Sequence, residues 1–152
     1  MREEHAIQLI GTPHRGDYSS IAVSFEKLLV KATTNGWFSD STQLIGIYYD
    51  DPDFVERENL LSFAGLSVGD RKIKVPTGEN LEEKVLPGGR FAVLCFKGPY
   101  ALLEDAYHWL YGFWLKQSGE QIADSACTER YLNSPQDTPS HELLTEIRLP
   151  LL

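Results

Sequence analysis

The sequence predicts an α+β fold in which duplicated βαββ units form an antiparallel sheet with two helices packed on one face. Three observations support this prediction. Short apolar runs typical of strands surround two longer runs with helical spacing. A basic-Gly-x-Tyr motif recurs 82 residues apart, at 15–18 and 97–100, and a polar-x-Pro turn recurs 83 residues apart, at 50–52 and 133–135. The elements follow in the same order around both motifs, which indicates a duplication.

The first predicted repeat covers about residues 5–68 and contains three strands and one helix. The strands are predicted at 6–10, 43–49 and 59–68. Ser19 or Ser20 is expected to cap the helix and Asn35-Gly36 to end it. One buried stripe is predicted from residues that keep helical spacing, namely Ile21, Phe25, Leu28 and Ala32.

The second predicted repeat covers residues 82–152 and shares a single domain, 1–152, with the first. A polar segment rich in glycine and proline, 69–81, is interpreted as the linker between the repeats. The second helix is predicted at about 101–117, closed by Ser118-Gly119. Strands are predicted at 82–86, 90–96, 127–132 and 142–149, and Pro150 is expected to end the last one.

The second helix carries more apolar and aromatic surface than packing on a sheet requires. Polar residues fill only about a third of its circumference by the helical period. Two interpretations stay open: a central core helix, or a helix of which one flank walls a cavity or an interface. The apolar set comprises Leu102, Leu103, Ala106, Tyr107, Trp109, Leu110, Tyr111, Phe113, Trp114 and Leu115.

Composition excludes several functional classes. The formal net charge is −8 and no run of Lys or Arg is present, which argues against direct nucleic-acid binding. No stretch approaches the roughly 20 apolar residues of a membrane helix, and the charged N-terminus does not resemble a signal peptide. A cytoplasmic protein is therefore expected. Cys95 and Cys127 lie in apolar contexts and are expected to be buried and reduced, although a disulfide between them stays open.

No metal or cofactor is predicted. The four histidines, His5, His14, His108 and His141, are scattered without metal-ligand spacing. The acidic turn at 50–53 lacks the glycine and the distal glutamate of a calcium loop. No glycine-rich phosphate loop follows a strand in the required way.

Glu129 is the main candidate for a functional carboxylate. It lies in a strand-like segment, so alternation places Glu129 and Tyr131 on one face of the sheet. By the repeat, their counterparts are Gly46 and Tyr48, and the carboxylate is present in one half only. Burial among aromatic rings would raise its pKa and favour a cationic partner. Glu146, in the last strand, is a second candidate carboxylate, for which a solvent-facing position is the slightly favoured alternative.

Several segments together resemble the GyrI-like small-molecule-binding family. They are the turn at 48–52, the strand at 88–93 and the strand at 129–133, and the resemblance covers nearly the whole chain. This family includes effector-binding domains of AraC- and MerR-type regulators, a stand-alone gyrase-inhibitory protein and stand-alone hydrolases of cyclopropane-bearing genotoxins.

The resemblance implies a central pocket between the paired helices and the sheet, in which an acidic residue meets a cationic or polar ligand. Glu129 and Tyr131 match the family's Glu-x-Tyr strand. The first predicted strand begins within ten residues of Met1, so a stand-alone module without its own DNA-binding domain is expected. The predicted ligand-binding residues are Tyr48, Tyr107, Trp109, Phe113, Trp114, Glu129, Tyr131 and Glu146.

Three functions remain as hypotheses. The first is binding of amphipathic, cationic or polycyclic small molecules. The second is hydrolysis of strained electrophilic rings, with Glu129 and Tyr131 in acid–base roles. The third is a protein-interaction role with a partner such as gyrase or a transcription regulator.

Overall fold

The computed structural model describes residues 1–69, 71, 73, 75, 78 and 80–152, which form two compact units. The N-terminal unit is His5–Gly88, and the C-terminal unit comprises Met1–Glu4 and Gly89–Leu152. The predicted α+β class is confirmed, since each unit packs helices on an antiparallel sheet. The strands are β1 (Arg2–Glu4), β2 (Ile7–Arg15), β3 (Leu44–Tyr48), β4 (Leu61–Ser67), β5 (Glu82–Leu86), β6 (Gly89–Lys97), β7 (Cys127–Tyr131) and β8 (Leu144–Leu151). The helices are α1 (Ile21–Asn35), α2 (Leu103–Trp109) and α3 (Leu115–Ser118).

In the N-terminal unit the strand order is β3-β4-β2-β5, and every neighbouring pair is antiparallel. Helix α1 begins at Ile21 and ends before Gly36, as predicted, because Gly36 adopts the left-handed conformation at φ 67°. Its apolar stripe packs on the sheet around a core of Ile10, Leu28, Ala32, Trp37, Leu66 and Val68.

In the C-terminal unit the strand order is β1-β6-β8-β7, again antiparallel. Helices α2 and α3 are joined by one π-helical turn, Leu110–Trp114, so that the helical run extends from Leu103 to Ser118. The core of this unit comprises Ala92, Leu103, Ala106, Leu110, Ile147, Leu149 and Leu151. No helix in the described ranges is long and apolar enough to cross a membrane.

Two predictions about local structure are corrected. The short strand β1 was not expected, because Arg2-Glu3-Glu4 is fully charged. Strand β8 does not end at Pro150 but continues to Leu151. Pro150 pairs with Phe91 on one side, whereas the pairing with β7 on the other side ends at Arg148, so the missing N–H breaks no ladder there. The predicted linker 69–81 falls in part outside the described residues.

The two cysteines are free thiols in different environments. Cys127 is largely buried at the start of β7, as expected, but Cys95 is exposed on β6, so the prediction that both are buried is wrong. Alternation along β6 explains the difference: Cys95 pairs with Glu146 and lies on the face of the sheet opposite the helices, whereas Leu94 packs against the helix-side core.

Candidate functional site

Glu129 is buried at the centre of β7, with a residual exposure of 7%. It pairs in register with Ile147, a fully buried member of the core beneath the helices, so the carboxylate lies on the helix-facing side of the sheet. The neighbouring Arg130 lies on the opposite side, where it pairs with Glu146. Burial of a carboxylate in an apolar layer is expensive unless hydrogen bonds stabilise it.

Two tyrosines supply those hydrogen bonds. The hydroxyl of Tyr107, on α2, donates to Glu129 Oε2 at 2.5 Å, and the hydroxyl of Tyr131, two residues along β7, donates to Oε1 at 2.8 Å. Each carboxylate oxygen therefore accepts one phenolic O–H. Two donated hydrogen bonds stabilise the ionised form of a carboxylate, because a protonated oxygen would itself have to donate.

Aromatic rings extend outward from this pair of donors. The ring of Tyr111 stacks on that of Tyr107, with centroids 6.4 Å apart and planes 15° apart. The ring of Tyr100 meets Tyr131 edge to face at 5.7 Å. We refer to Tyr100, Tyr107, Tyr111, Cys127, Glu129 and Tyr131 as the Glu129 cluster. It combines one carboxylate with several aromatic faces, which is an arrangement suited to cations that carry apolar groups.

The carboxylate changes the acidity of its neighbours. Burial and then the charge of Glu129 raise the pKa of the Tyr100 hydroxyl. Burial, reinforced by Glu129, raises the pKa of the Cys127 thiol to about 12. Its Sγ lies 4.0 Å from the Tyr107 hydroxyl and 3.4 Å from the Arg148 carbonyl oxygen. Cys127 is therefore a protonated packing residue rather than a nucleophile.

The helix that carries Tyr107 and Tyr111 contains one π-turn. The backbone N–H of Leu115 bonds to the carbonyl oxygen of Leu110, five residues earlier, instead of four. Tyr111 lies within this turn, and its ring stacks on that of Tyr107 in the α-helical part before it. Such π-turns are frequent at functional sites.

The other predicted aromatic residues of the helix lie elsewhere. Trp109 and Phe113 contact each other at 6.0 Å and are 45% and 55% exposed. Trp109 and Trp114 line a cavity of about 110 Å³ beside β6, and none of its lining residues belongs to the Glu129 cluster. The aromatic excess is therefore divided between two flanks. The remaining lining residues are Met1, Ala92, Val93, Leu94 and Leu110.

Tyr48 lies in the N-terminal unit, where its ring meets that of Tyr18 edge to face at 4.9 Å. The Tyr18 hydroxyl donates to the carbonyl oxygen of Leu61 at 2.9 Å and accepts from the backbone N–H of Asp50. Gly46, the sequence counterpart of Glu129, is a buried residue of β3. Within this unit, Tyr48 thus belongs to an aromatic pair similar in kind to that of Tyr131 and Tyr100.

The solvent-facing interpretation of Glu146 is wrong. Glu146 is buried on the face of the sheet opposite the helices, where Oε2 lies 2.9 Å from Arg2 Nη1 and Oε1 lies 3.1 Å from Arg130 Nη1. The unexpected strand β1 supplies Arg2 and so explains part of this burial. Glu146 and Glu129 occupy opposite faces, which makes Glu146 a structural ion-pair residue rather than a second anchor in the Glu129 cluster.

The predicted set of ligand-binding residues omits three members of the cluster: Tyr100, Tyr111 and Cys127. Tyr100 could have been identified from the sequence, because it ends the second basic-Gly-x-Tyr motif. Tyr111 follows Tyr107 by four residues, which is the spacing of contacts along a helix. In the part of the chain that the structure describes, no group of three or more His, Cys, Asp or Glu residues is placed to hold a metal ion.

Comparison with known proteins identifies the family and the fold. The model of the family described as the GyrI-like small molecule binding domain matches residues 1–152. A relative from Dickeya dadantii (strain 3937), DNA gyrase inhibitor 2, is 28% identical over 138 residues, or 86% of this chain and 79% of its own length.

Solved structures of similar fold cover 99% of this chain at low identity. EcmrR in a DNA complex superposes with a TM-score of 0.82 at 20% identity, and the match spans 55% of that chain. A hydrolase from Listeria innocua superposes with a TM-score of 0.73 at 16% identity over 90% of its length. SAV2435 bound to tetraphenylphosphonium superposes with a TM-score of 0.67 at 13% identity over 92% of its length.

Proposed function

Because the chain belongs to the GyrI-like small molecule binding domain family, we propose that it binds amphipathic small molecules, with Glu129 as the anchor for a cationic group. The observation that carries this proposal is the buried carboxylate of Glu129, both of whose oxygens accept phenolic hydrogen bonds. These bonds fix the orientation of the carboxylate and favour its negative charge.

The surroundings of Glu129 support a cationic and aromatic ligand. A negative charge attracts a cation more strongly where the local dielectric constant is low, as it is beneath a helix packed on a sheet. The faces of Tyr100, Tyr107 and Tyr111 add apolar contact area and cation–π attraction. Tetraphenylphosphonium, the ligand of SAV2435, combines a delocalised positive charge with aromatic rings and is therefore a suitable probe.

The order of elements in the two units supports a common origin. Both units place a strand, a helix and two further strands in the same order, with the sheet orders β2-β4-β3 and β6-β8-β7. Both also hold an edge-to-face tyrosine pair, Tyr18 with Tyr48 and Tyr100 with Tyr131. We propose that the units descend from one βαββ ancestor and that only the C-terminal copy carries the acidic anchor of the ligand pocket.

The test is Glu129→Gln, which keeps the shape of the side chain and removes its charge. Its affinity for tetraphenylphosphonium should fall about 10- to 100-fold, since an interaction with a charged group is worth about 1.5–3 kcal/mol. Binding of triphenylphosphine oxide, a neutral probe, should change by less than about threefold on the same scale. Calorimetric titration measures both.

Glu104→Gln is the matched control, because this side chain on α2 is 79% exposed and the variant changes the net charge by the same amount. It should leave both affinities unchanged. Equal losses for the cationic and the neutral probe in Glu129→Gln would contradict the anchoring role, and so would equal losses in the two variants.

A second candidate function is hydrolysis, which the contact of Glu129 with two phenols favours. Glu129 would take a proton from water as the water oxygen attacks a strained ring carbon, and Tyr131 would donate its phenolic proton to the carbon released by ring opening. The proton on Glu129 then returns to the Tyr131 phenolate. Tyr131→Phe should abolish turnover of a cyclopropane-bearing genotoxin, whereas absence of turnover by the unaltered protein would exclude this candidate.

A third candidate is modulation of gyrase, the activity for which the Dickeya relative is named. The exposed rings of Trp109 and Phe113 on the helix offer a surface for a protein partner. Inhibition of gyrase supercoiling that Trp109→Ala weakens and Glu129→Gln leaves intact would favour this candidate. Absence of inhibition by the unaltered protein would exclude it.

A further inference from the structure

The face of the C-terminal sheet opposite the helices carries a buried group of charged side chains. Arg130 from β7 and Glu146 and Arg148 from β8 are 8%, 6% and 1% exposed. Strand β1 adds Arg2 and Glu4, whose side chains point to the same group. Charges at this depth are retained in proteins where each one finds a partner.

Only part of the Arg148 guanidinium is hydrogen-bonded. Nη1 donates to Thr128 Oγ1 at 2.9 Å, and the plane lies over the ring of Phe91, 4.5 Å from its centroid. The remaining nitrogens, Nε and Nη2, are buried and have no hydrogen-bond partner among the described residues. Together these two nitrogens form one edge of the guanidinium, whose parallel N–H groups match the two oxygens of a carboxylate.

Glu4 is the carboxylate nearest to Arg148 in this part of the structure, but it is too far away for a hydrogen bond. Its Oε1 lies 3.9 Å from Arg148 Nε, beyond hydrogen-bond length, and this oxygen also has no hydrogen-bond partner in the described part of the chain. Its Oε2 lies 3.8 Å from Arg130 Nη2. Burial and the nearby charge of Arg130 lower the pKa of Arg148, as expected of a cation that is incompletely compensated.

This edge of Arg148 lies next to the short strand β1, which carries Glu4. Strand β1 has three residues, lies at the end of the strand order of its unit and pairs with β6 through Arg2, Glu3 and Glu4. Few backbone hydrogen bonds hold so short an edge strand, so local opening of β1 requires little free energy compared with global unfolding. Opening removes Glu4 and leaves Phe91 on β6, Thr128 on β7 and Arg148 on β8 in place.

We propose that the Nε–Nη2 edge of Arg148 is a binding site for a small carboxylate anion and that Glu4 is its built-in competitor. The anion binds when β1 opens, takes the two parallel hydrogen bonds that Glu4 does not make, and is released when β1 closes. Formate and acetate carry the two carboxylate oxygens that match this edge and serve as probes.

The experiment follows the Nε–H resonance of Arg148 by NMR while formate replaces chloride at constant ionic strength. Three variants are compared with the unaltered protein: Glu4→Gln, Glu3→Gln and Arg148→Lys. Glu3→Gln is the matched control, because Glu3 lies on the same strand, is exposed and carries the same charge. Arg148→Lys keeps the positive charge and removes the two-pronged edge.

Formate should shift the Arg148 resonance in a saturable manner, and Glu4→Gln should lower its dissociation constant about tenfold, the effect of removing one charged competitor. Glu3→Gln should leave this constant unchanged. Formate should also raise the melting temperature of the unaltered protein, and this effect should be absent in Arg148→Lys. The proposal is overturned if formate acts no differently from chloride, or if Glu4→Gln behaves as Glu3→Gln does. The comparison of Glu4→Gln with Glu3→Gln tests the proposal even if Arg148→Lys does not fold.

Discussion

The ion pair between Arg130 and Glu146 should be one of the costliest polar contacts to break in this protein. Both side chains are at most a tenth exposed, and Arg130 Nη1 lies 3.1 Å from Glu146 Oε1. Arg130→Met keeps the volume of the side chain and leaves Glu146 buried with Arg2 as its remaining close cation. Breaking a buried pair in this way destabilises proteins by about 3–5 kcal/mol.

The expected change in melting temperature follows from the size of the protein. For a chain of about 150 residues, each kcal/mol shifts the melting temperature by about 2–4 °C, so Arg130→Met should lower it by about 6–20 °C. Differential scanning calorimetry measures the shift, and urea denaturation gives the change in free energy of unfolding independently.

Arg57→Met is the matched control for this experiment. Arg57 Nε lies 3.3 Å from Asp17 Oδ2, but its side chain is 79% exposed, so this pair contributes at most about 1 kcal/mol. The double variant Arg130→Met, Glu146→Leu should recover most of the lost stability, because it replaces both buried charges with apolar groups. A loss for Arg130→Met no larger than that for Arg57→Met would refute the reasoning, as would a double variant less stable than either single one.

Two further predictions concern the Glu129 cluster. Tyr107→Phe removes one donor to Glu129 and should reduce the free energy of unfolding by about 1.5–3 kcal/mol, as urea denaturation would show, whereas a neutral effect would mean that this hydrogen bond adds nothing. Cys95, which is exposed, should react with iodoacetamide at least about a hundredfold faster than Cys127 at pH 8, as peptide mass spectrometry measures, and equal rates would contradict the burial of Cys127. Because the folded-state pKa of the Cys127 thiol, about 12, is above its value of 9.0 in the unfolded chain, ionisation of the unfolded thiol lowers stability between about pH 9 and 12. Cys127→Ala should remove this contribution, of at most about 1.4 kcal/mol per pH unit, from the pH dependence of unfolding.

Local signals in the sequence predicted most of the fold. The C-terminal end of α1 was predictable because Gly36 can take the left-handed conformation that closes a helix, and β5 was predicted with its observed bounds of 82 and 86. Strand β1 was not, because Arg2-Glu3-Glu4 has neither apolar alternation nor β-branched residues. Its position depends on pairing with β6, at the other end of the sequence, and on ion pairs with β7 and β8.

The candidate site was predictable only in part. Alternation along β7 placed Glu129 and Tyr131 on one face, and the Tyr131 hydroxyl does donate a hydrogen bond to the Glu129 carboxylate. The aromatic excess of the second helix identified Tyr107, but no sequence pattern states which of several aromatic residues reaches a strand some 20 residues away. The π-turn, which includes Tyr111, has no recognised signature in this sequence. Distances between elements therefore had to come from the three-dimensional structure.

The outermost strands have a consequence for how the protein behaves at high concentration. In each unit one terminal strand of the order is strongly charged: β1 reads Arg2-Glu3-Glu4, and β5 begins Glu82-Glu83-Lys84. An edge with unpaired backbone groups is a template for adding a strand from another molecule, and charged side chains make such an addition unfavourable. The charged residues of β1 and β5 should therefore oppose growth into fibrils or open-ended assemblies.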